Sequence, residues 1–133
     1  MKKGILLNSE ISYEIAKLGH TQTITIGDAG LPVPEHVLRI DLAVSKGIPS
    51  FLQVLDAVLS EMKVEKVILA EEINDRAPGL KDELLKRFSP DDVAIEFVTH
   101  EMFKKHTEDS AAIIRTGETT PYANIILVSG VTF

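Results

Sequence analysis

Pro49-Ser50-Phe51-Leu52-Gln53-Val54-Leu55-Asp56-Ala57-Val58-Leu59-Ser60-Glu61-Met62, followed after Lys63 by Val64-Glu65-Lys66-Val67-Ile68-Leu69-Ala70, decides the fold. Phe51, Val54, Leu55, Val58, Leu59 and Met62 form one stripe at helical spacing, and Ser50 stands where it can cap the helix. The compact apolar run from Val64 to Ala70 predicts a buried strand. A helix leading directly into a buried strand is a building block of a layered α/β sheet.

The same alternation continues on both sides. Upstream, Asn8 or Ser9 can cap a helix carrying Ile11, Ile15 and Leu18, with Gly19 as its stop. Thr21 to Ile26 reads as a short strand, 27–34 as a Gly- and Pro-dominated loop, and Val37 to Val44 as a second alternating stretch. Downstream, Leu80, Leu84, Leu85 and Phe88 mark a helix that Ser89-Pro90 closes. Val93 to Thr99 predicts a strand, and a short polar helix starts near Thr99 and ends before Ser110. Ala111 to Ile114 is expected as an edge strand and Ile125 to Val128 as a central one. No repeat, linker or low-complexity stretch interrupts the pattern, so one domain over residues 1–133 is expected.

Composition narrows the function classes. A chain of 133 residues can bury roughly two-thirds of its unfolded surface without covalent staples. There is no cysteine, which removes disulfides and thiolate chemistry and fits a reducing compartment. The net charge of −6 argues against a nucleic-acid partner. Met1-Lys2-Lys3 opens an apolar run that stops at Leu7, too short for a secretory leader, and no run is long enough to span a membrane. A soluble intracellular protein is expected. Aromatics make up only 5% of the chain, so the core is aliphatic. Residues 125–133 stay mostly apolar, which predicts a docked terminal strand and a subunit interface.

Three stretches place proton-handling or hydrogen-bonding groups beside turns. His20 follows the helix-stopping Gly19; its imidazole is either a helix-end cap or an acid–base group. Asp28, inside Gly27-Asp28-Ala29-Gly30-Leu31-Pro32, either satisfies its own turn or points into a cleft. That loop lacks the lysine and the spacing of a phosphate cradle. His100 follows a strand and opens a helix, where α/β folds gather ligand groups, although an N-cap neighbour is an equal reading. Pro121-Tyr122-Ala123-Asn124 precedes the terminal strand, and alternation would put Tyr122 and Asn124 on one side. A phenol and an amide suit hydroxyl binding; a tyrosine packed on the sheet edge is the plainer alternative. Glu71-Glu72 would point to opposite faces if extended, which argues against a hydrolytic pair. His36 and His106 lie among polar residues, and no metal-ligand spacing joins the four histidines. The set points to acid–base chemistry on a small neutral polyol, with no cofactor.

Longer strings carry a resemblance. MKKGILLNSEIS, LGHT, GDAGLPVP, RIDLAVSKGIPSFLQVL, AEEI, THEMFKK, IRTGE and PYANIILVSGVTF occur in that order, interrupted only near Asp75–Asp92. Together they resemble the ribose/fucose mutarotase family, in particular D-ribose pyranase. The resemblance implies a three-layer α/β/α fold with a mixed, mostly parallel sheet. It implies a cytoplasmic, ring-shaped homodecamer of two pentamers with active sites at subunit contacts. It also implies interconversion of the pyranose and furanose forms of β-D-ribose. The family's acid–base histidine falls on His20, and its sugar-binding positions on Asp28, His100 and Tyr122-Ala123-Asn124. A non-catalytic ribose-binding accessory protein and a mutarotase for another sugar, such as fucose, are the competing readings.

Overall fold

A computed structural model describes residues 1–133. Its elements run α1 (Ser9–Lys17), β1 (Thr23–Gly27), β2 (Leu38–Asp41), α2 (Phe51–Leu59), β3 (Val64–Ala70), α3 (Ile73–Arg76), α4 (Pro78–Leu85), β4 (Ala94–Val98), α5 (His100–His106), a 3₁₀ turn (Thr107–Asp109), β5 (Ala112–Arg115) and β6 (Ile125–Ser129). The helix starts are written locally. Asn8 accepts from the Ile11 N–H at 2.9 Å. Ser50 and Gln53 form a reciprocal capping box on α2.

The strands form one six-stranded sheet in the order β2-β5-β1-β6-β3-β4. β2, β5 and β1 pair in parallel, as do β3 and β4. β6 is antiparallel to both of its neighbours, β1 and β3. The sheet is therefore mixed and mostly parallel, as the resemblance implies.

Side-chain alternation splits the core into two layers. Ile24, Ile26, Val67, Leu69, Ile114, Ile125 and Leu127 pack on one face with Ile11 of α1, Phe51, Val54, Leu55 and Val58 of α2, and Leu84 of α4. Each such side chain removed from water contributes about 1.5–3 kcal/mol. The other face is thinner. Ile68, Ala70, Ile113 and Ile126 meet Phe103 of α5 and Leu31 and Val37 of the loop after β1. Helices thus cover both faces.

Two expectations need correction. β5 is an interior strand between β2 and β1, because β2 adds outside it and takes the edge. Ala112, Ile113 and Ile114 are all buried, as two covered faces require. The stretch 37–44 is extended only over Leu38–Asp41. Beyond it the chain turns, with Val44 and Ile48 exposed. The C-terminus divides in two: β6 is buried through most of its length, whereas Val131 and Phe133 are exposed.

Gly117 is the tightest backbone approach. A Cβ there would overlap the Ile48 carbonyl oxygen and come within 2.6 Å of the Ile48 carbonyl carbon and nitrogen. Backbone cannot swing aside as a side chain can. Gly117→Ala is expected to destabilise the fold by about 1–3 kcal/mol, the usual range for overpacking. A lower urea midpoint with unchanged slope would show it; an unchanged midpoint would mean the loop carrying Ile48 yields freely.

Candidate active site

In a parallel sheet the carboxyl ends of all strands face one rim, where ligand groups gather. β1 delivers Asp28 to that rim, β3 delivers Glu71 and Glu72, β4 delivers His100, and β5 delivers Arg115 and Thr116. β6 runs the other way, so its entry, Tyr122-Ala123-Asn124, reaches the same rim. Asp28, Gly30, Leu31, Pro32, Arg76, His100, Pro121, Tyr122 and Asn124 line a cavity of about 290 Å³ there.

Asn124 is the buried pivot of the cavity, fully enclosed. Its Oδ1 accepts from the Asp28 backbone N–H at 2.8 Å, and its Nδ2 donates to Asp28 Oδ2 at 3.1 Å. Asp28 Oδ1 accepts from the Gly30 N–H at 2.9 Å, closing the turn. Both readings of Asp28 hold at once: the carboxylate satisfies its turn and lines the cavity. Gly27 makes this packing possible. A Cβ there would meet Leu31 Cδ2 at 2.6 Å and crowd Asn124 Oδ1 at 3.2 Å.

Tyr122 and Asn124 share the cavity, but not through strand alternation. Tyr122 is left-handed, with φ 61°, and the Asn124 N–H donates to the Tyr122 carbonyl at 2.9 Å. The segment is a tight turn, and the strand starts only at Ile125. Ala123 points the other way, into the larger core layer, so its side chain stays out of the cavity. Thr21, with φ 68°, is the other non-glycine residue at positive φ, and it adjoins His20. Strain of this kind collects at functional sites.

His100 opens α5, and its ring packs edge-on to Tyr122, with centroids 5.2 Å apart. Phe103 stacks at 6.3 Å on the core side. Glu72 fixes the backbone: the His100 N–H donates to both carboxylate oxygens, at 3.0 and 2.9 Å. The Arg76 guanidinium lies 6.0 Å from the Tyr122 ring centroid. Sequence reasoning missed Arg76 as part of this wall, since α3 is a single unpatterned turn, and it weighed Glu72 only as one of a hydrolytic pair.

The segment after β5 braces the Asp28 loop. Arg115 Nε donates to the Ala29 carbonyl at 3.0 Å while its other nitrogen pairs with Asp41 at 3.0 Å. Thr116 Oγ1 donates to the Gly27 carbonyl at 2.8 Å, and the Ala29 N–H donates to the Glu118 carbonyl at 2.9 Å. Glu118 in turn accepts from the Phe51 N–H at 3.0 Å and the Thr120 hydroxyl at 2.9 Å. Burial pushes the Glu118 carboxyl up, but the N–H of Phe51, the Thr120 hydroxyl and the N–H groups of Thr120 and Thr119 together hold it below the ordinary glutamate value of 4.5. A depressed carboxyl contributes stability that is present above the ordinary value and lost as pH falls through the folded one. The melting temperature is therefore expected to fall below pH 4.5, and Glu118→Gln to reduce that slope. An unchanged slope in the variant would remove Glu118 from the acid response.

His20 lies elsewhere. It precedes β1, whereas Asp28 follows it, so the length of the strand, about 15 Å, separates them. Its side chain is 52% exposed, and Nε2 pairs with Glu65 Oε2 at 2.8 Å. The surrounding groove, about 370 Å³, is formed by Ile15, Leu18, Met62 and the tail residues Val131 and Phe133, among others. One chain brings Asp28, His100, Tyr122 and Asn124 together and leaves His20 outside. Of the remaining histidines, His36 bonds the Glu108 carbonyl at 2.9 Å and does not line the cavity. No group of His, Asp and Glu is arranged to hold a metal ion.

Comparison with known proteins places this rim in context. The chain is 53% identical to the D-ribose pyranase of Vibrio parahaemolyticus and 55% identical to that of Actinobacillus succinogenes, over the whole of each chain. The solved structure of Bacillus subtilis RbsD complexed with D-ribose superposes with a TM-score of 0.95 at 49% identity, again covering both chains completely. Residues 1–132 match the model of the RbsD / FucU transport protein family, and the chain belongs to that family.

Proposed function

We propose that this protein is a D-ribose pyranase, interconverting β-D-ribopyranose and β-D-ribofuranose as a single mutarotase domain over residues 1–133. The observation that carries the reading is the rim cavity. It offers a carboxylate, a phenol, an amide and an imidazole within a space that fits a monosaccharide. The full-length likeness to D-ribose pyranases supplies the sugar.

The chemistry asks for little else. Opening the hemiacetal removes a proton from the anomeric hydroxyl and gives one to the ring oxygen. The aldehyde turns, and a different hydroxyl attacks it. A positioned acid–base group is worth about 10²–10⁴-fold here, and holding the open chain adds to that. His20 donates to the ring oxygen, His100 contacts the anomeric end, Asp28 holds a sugar hydroxyl with Asn124 fixing its carboxylate from within the fold, and Tyr122 meets a further hydroxyl. Within one chain His20 cannot reach that sugar, so the reading requires His20 of a neighbouring copy. A homodecamer with sites at subunit contacts meets the requirement. Exposed apolar groups at Ile5, Leu7, Val44, Ile48 and Phe133 support burial against further copies. The cytoplasm is the compartment that goes with this reading, and no helix is long and apolar enough to cross a membrane.

Exchange between ribose ring forms, followed by saturation-transfer NMR, tests the activity. Acceleration by the protein is the expected result. Contacts to ribose without faster exchange would replace the enzyme by a sugar-binding accessory protein. Acceleration of fucose but not ribose would change the substrate.

A further inference from the structure

The two nitrogens of His100 have opposite surroundings. Nδ1 is buried and has no hydrogen-bond partner in the chain. An atom that a water-sized probe cannot touch is equally closed to a second subunit and to a sugar. His100 lines the cavity, and of its two ring nitrogens only Nδ1 is sealed off without a partner. The ring's plane is set by its packing between Tyr122 and Phe103. Glu72, clamped on the backbone N–H, holds the residue in place.

We propose that His100 is a fixed Nε2–H donor to the anomeric oxygen and takes no part in proton transfer. This inference rests on the pyranase reading of the cavity. The reason is a count of protons. Placing the ring proton on Nδ1 would bury an N–H with no acceptor, the rarest kind of unsatisfied backbone or side-chain group. Leaving a bare lone pair there costs less. The proton therefore sits on Nε2 and faces the sugar. To act as a base the ring would have to accept a second proton on the sealed Nδ1. To act as an acid it would have to leave an imidazolate. Neither is available.

The proton traffic then balances through other groups. The anomeric hydroxyl gives its proton to the Asp28 carboxylate, the only carboxylate lining the cavity. The bond from the anomeric carbon to the ring oxygen breaks, its electron pair stays on that oxygen, and the His20 imidazolium of a neighbouring copy protonates it. Nε2–H of His100 polarises the resulting aldehyde for attack by either hydroxyl. On closure the attacking hydroxyl returns its proton to His20, and Asp28 returns its own to the anomeric oxygen.

Two side chains separate the possibilities, because a glutamine amide reaches the place of Nε2 and an asparagine amide that of Nδ1. His100→Gln is expected to keep ribose exchange within about tenfold of the native rate, while His100→Asn and His100→Ala lose about 100-fold, as for removal of one oxyanion donor. Equal loss in all three, with ribose contacts retained by saturation transfer, would overturn the donor role. Long-range ¹⁵N–¹H correlation on histidine-labelled protein at pH 8 gives an answer independent of activity, assigned by the missing signal in His100→Gln. The Nε2–H pattern is expected, and an Nδ1–H pattern overturns the inference. Failure of the native protein to speed ribose exchange would instead strike the pyranase reading and leave the tautomer result standing.

Discussion

His20→Ala is expected to lower ribose ring exchange by about 100-fold or more, the contribution of a positioned acid, while leaving the fold intact. The side chain is half-exposed and its one partner, Glu65, is itself accessible, so its removal leaves no buried group unsatisfied. The informative experiment mixes subunits. His20 and the rim cavity lie at opposite ends of β1, so on the proposed reading a working site would take its histidine from one chain and its cavity from another. In oligomers reassembled from equal amounts of His20→Ala and His100→Ala chains, a site works only when both contributors are intact at the relevant position. That holds for about a quarter of sites in a symmetric assembly with random mixing. Two inactive variants are therefore expected to recover about a quarter of the native rate when co-refolded. No recovery, with mixed oligomers demonstrated by mass, would mean that His20 serves the cavity of its own chain or none at all.

The strand-to-helix rhythm was legible because each buried element is a run of aliphatic residues bounded by capping or turn residues. β3 comes out over Val64–Ala70, as the apolar run predicts. The edge assignment of β5 failed for a physical reason. Strand order is set by pairing between distant segments, and the pattern Ala-Ile-Ile shows only that both faces are covered. The cavity was partly legible. Asp28, His100, Tyr122 and Asn124 all sit next to turn residues at the ends of apolar runs, which is what a rim requires. Their convergence was not, because it depends on β6 running against its neighbours. Nor was the bracing by Arg115, Thr116 and Glu118, whose bonds join segments more than sixty residues apart in sequence. Within the sequence IRTGE shows no pattern, yet it holds the Asp28 loop against the start of α2.

That bracing explains why the largest effect at the rim is expected at a residue that is not itself a proton carrier. Asn124 is fully buried, and both of its polar atoms are used on Asp28. Asn124→Ala strips the acceptor from the Asp28 N–H and one donor from its carboxylate. Leaving a buried polar group without its partner costs about 1–3 kcal/mol, to be read from the shift in thermal or urea unfolding. Activity is expected to fall by more than the stability loss implies, about 100-fold or more, because the carboxylate that should face the sugar is no longer held in its turn. Asn124→Asp makes the sharper comparison, since it keeps the size and the acceptor but sets a second carboxylate beside Asp28. Two carboxylates in such contact cannot both stay ionised without cost, so one is pushed above its ordinary range. The aspartate variant is expected to be less stable at pH 8 than at pH 5, the reverse of a chain whose acid loss comes from Glu118. If Asn124→Asp instead matches the native protein in both stability profile and ribose exchange, the Asp28–Asn124 pair is not what organises the cavity.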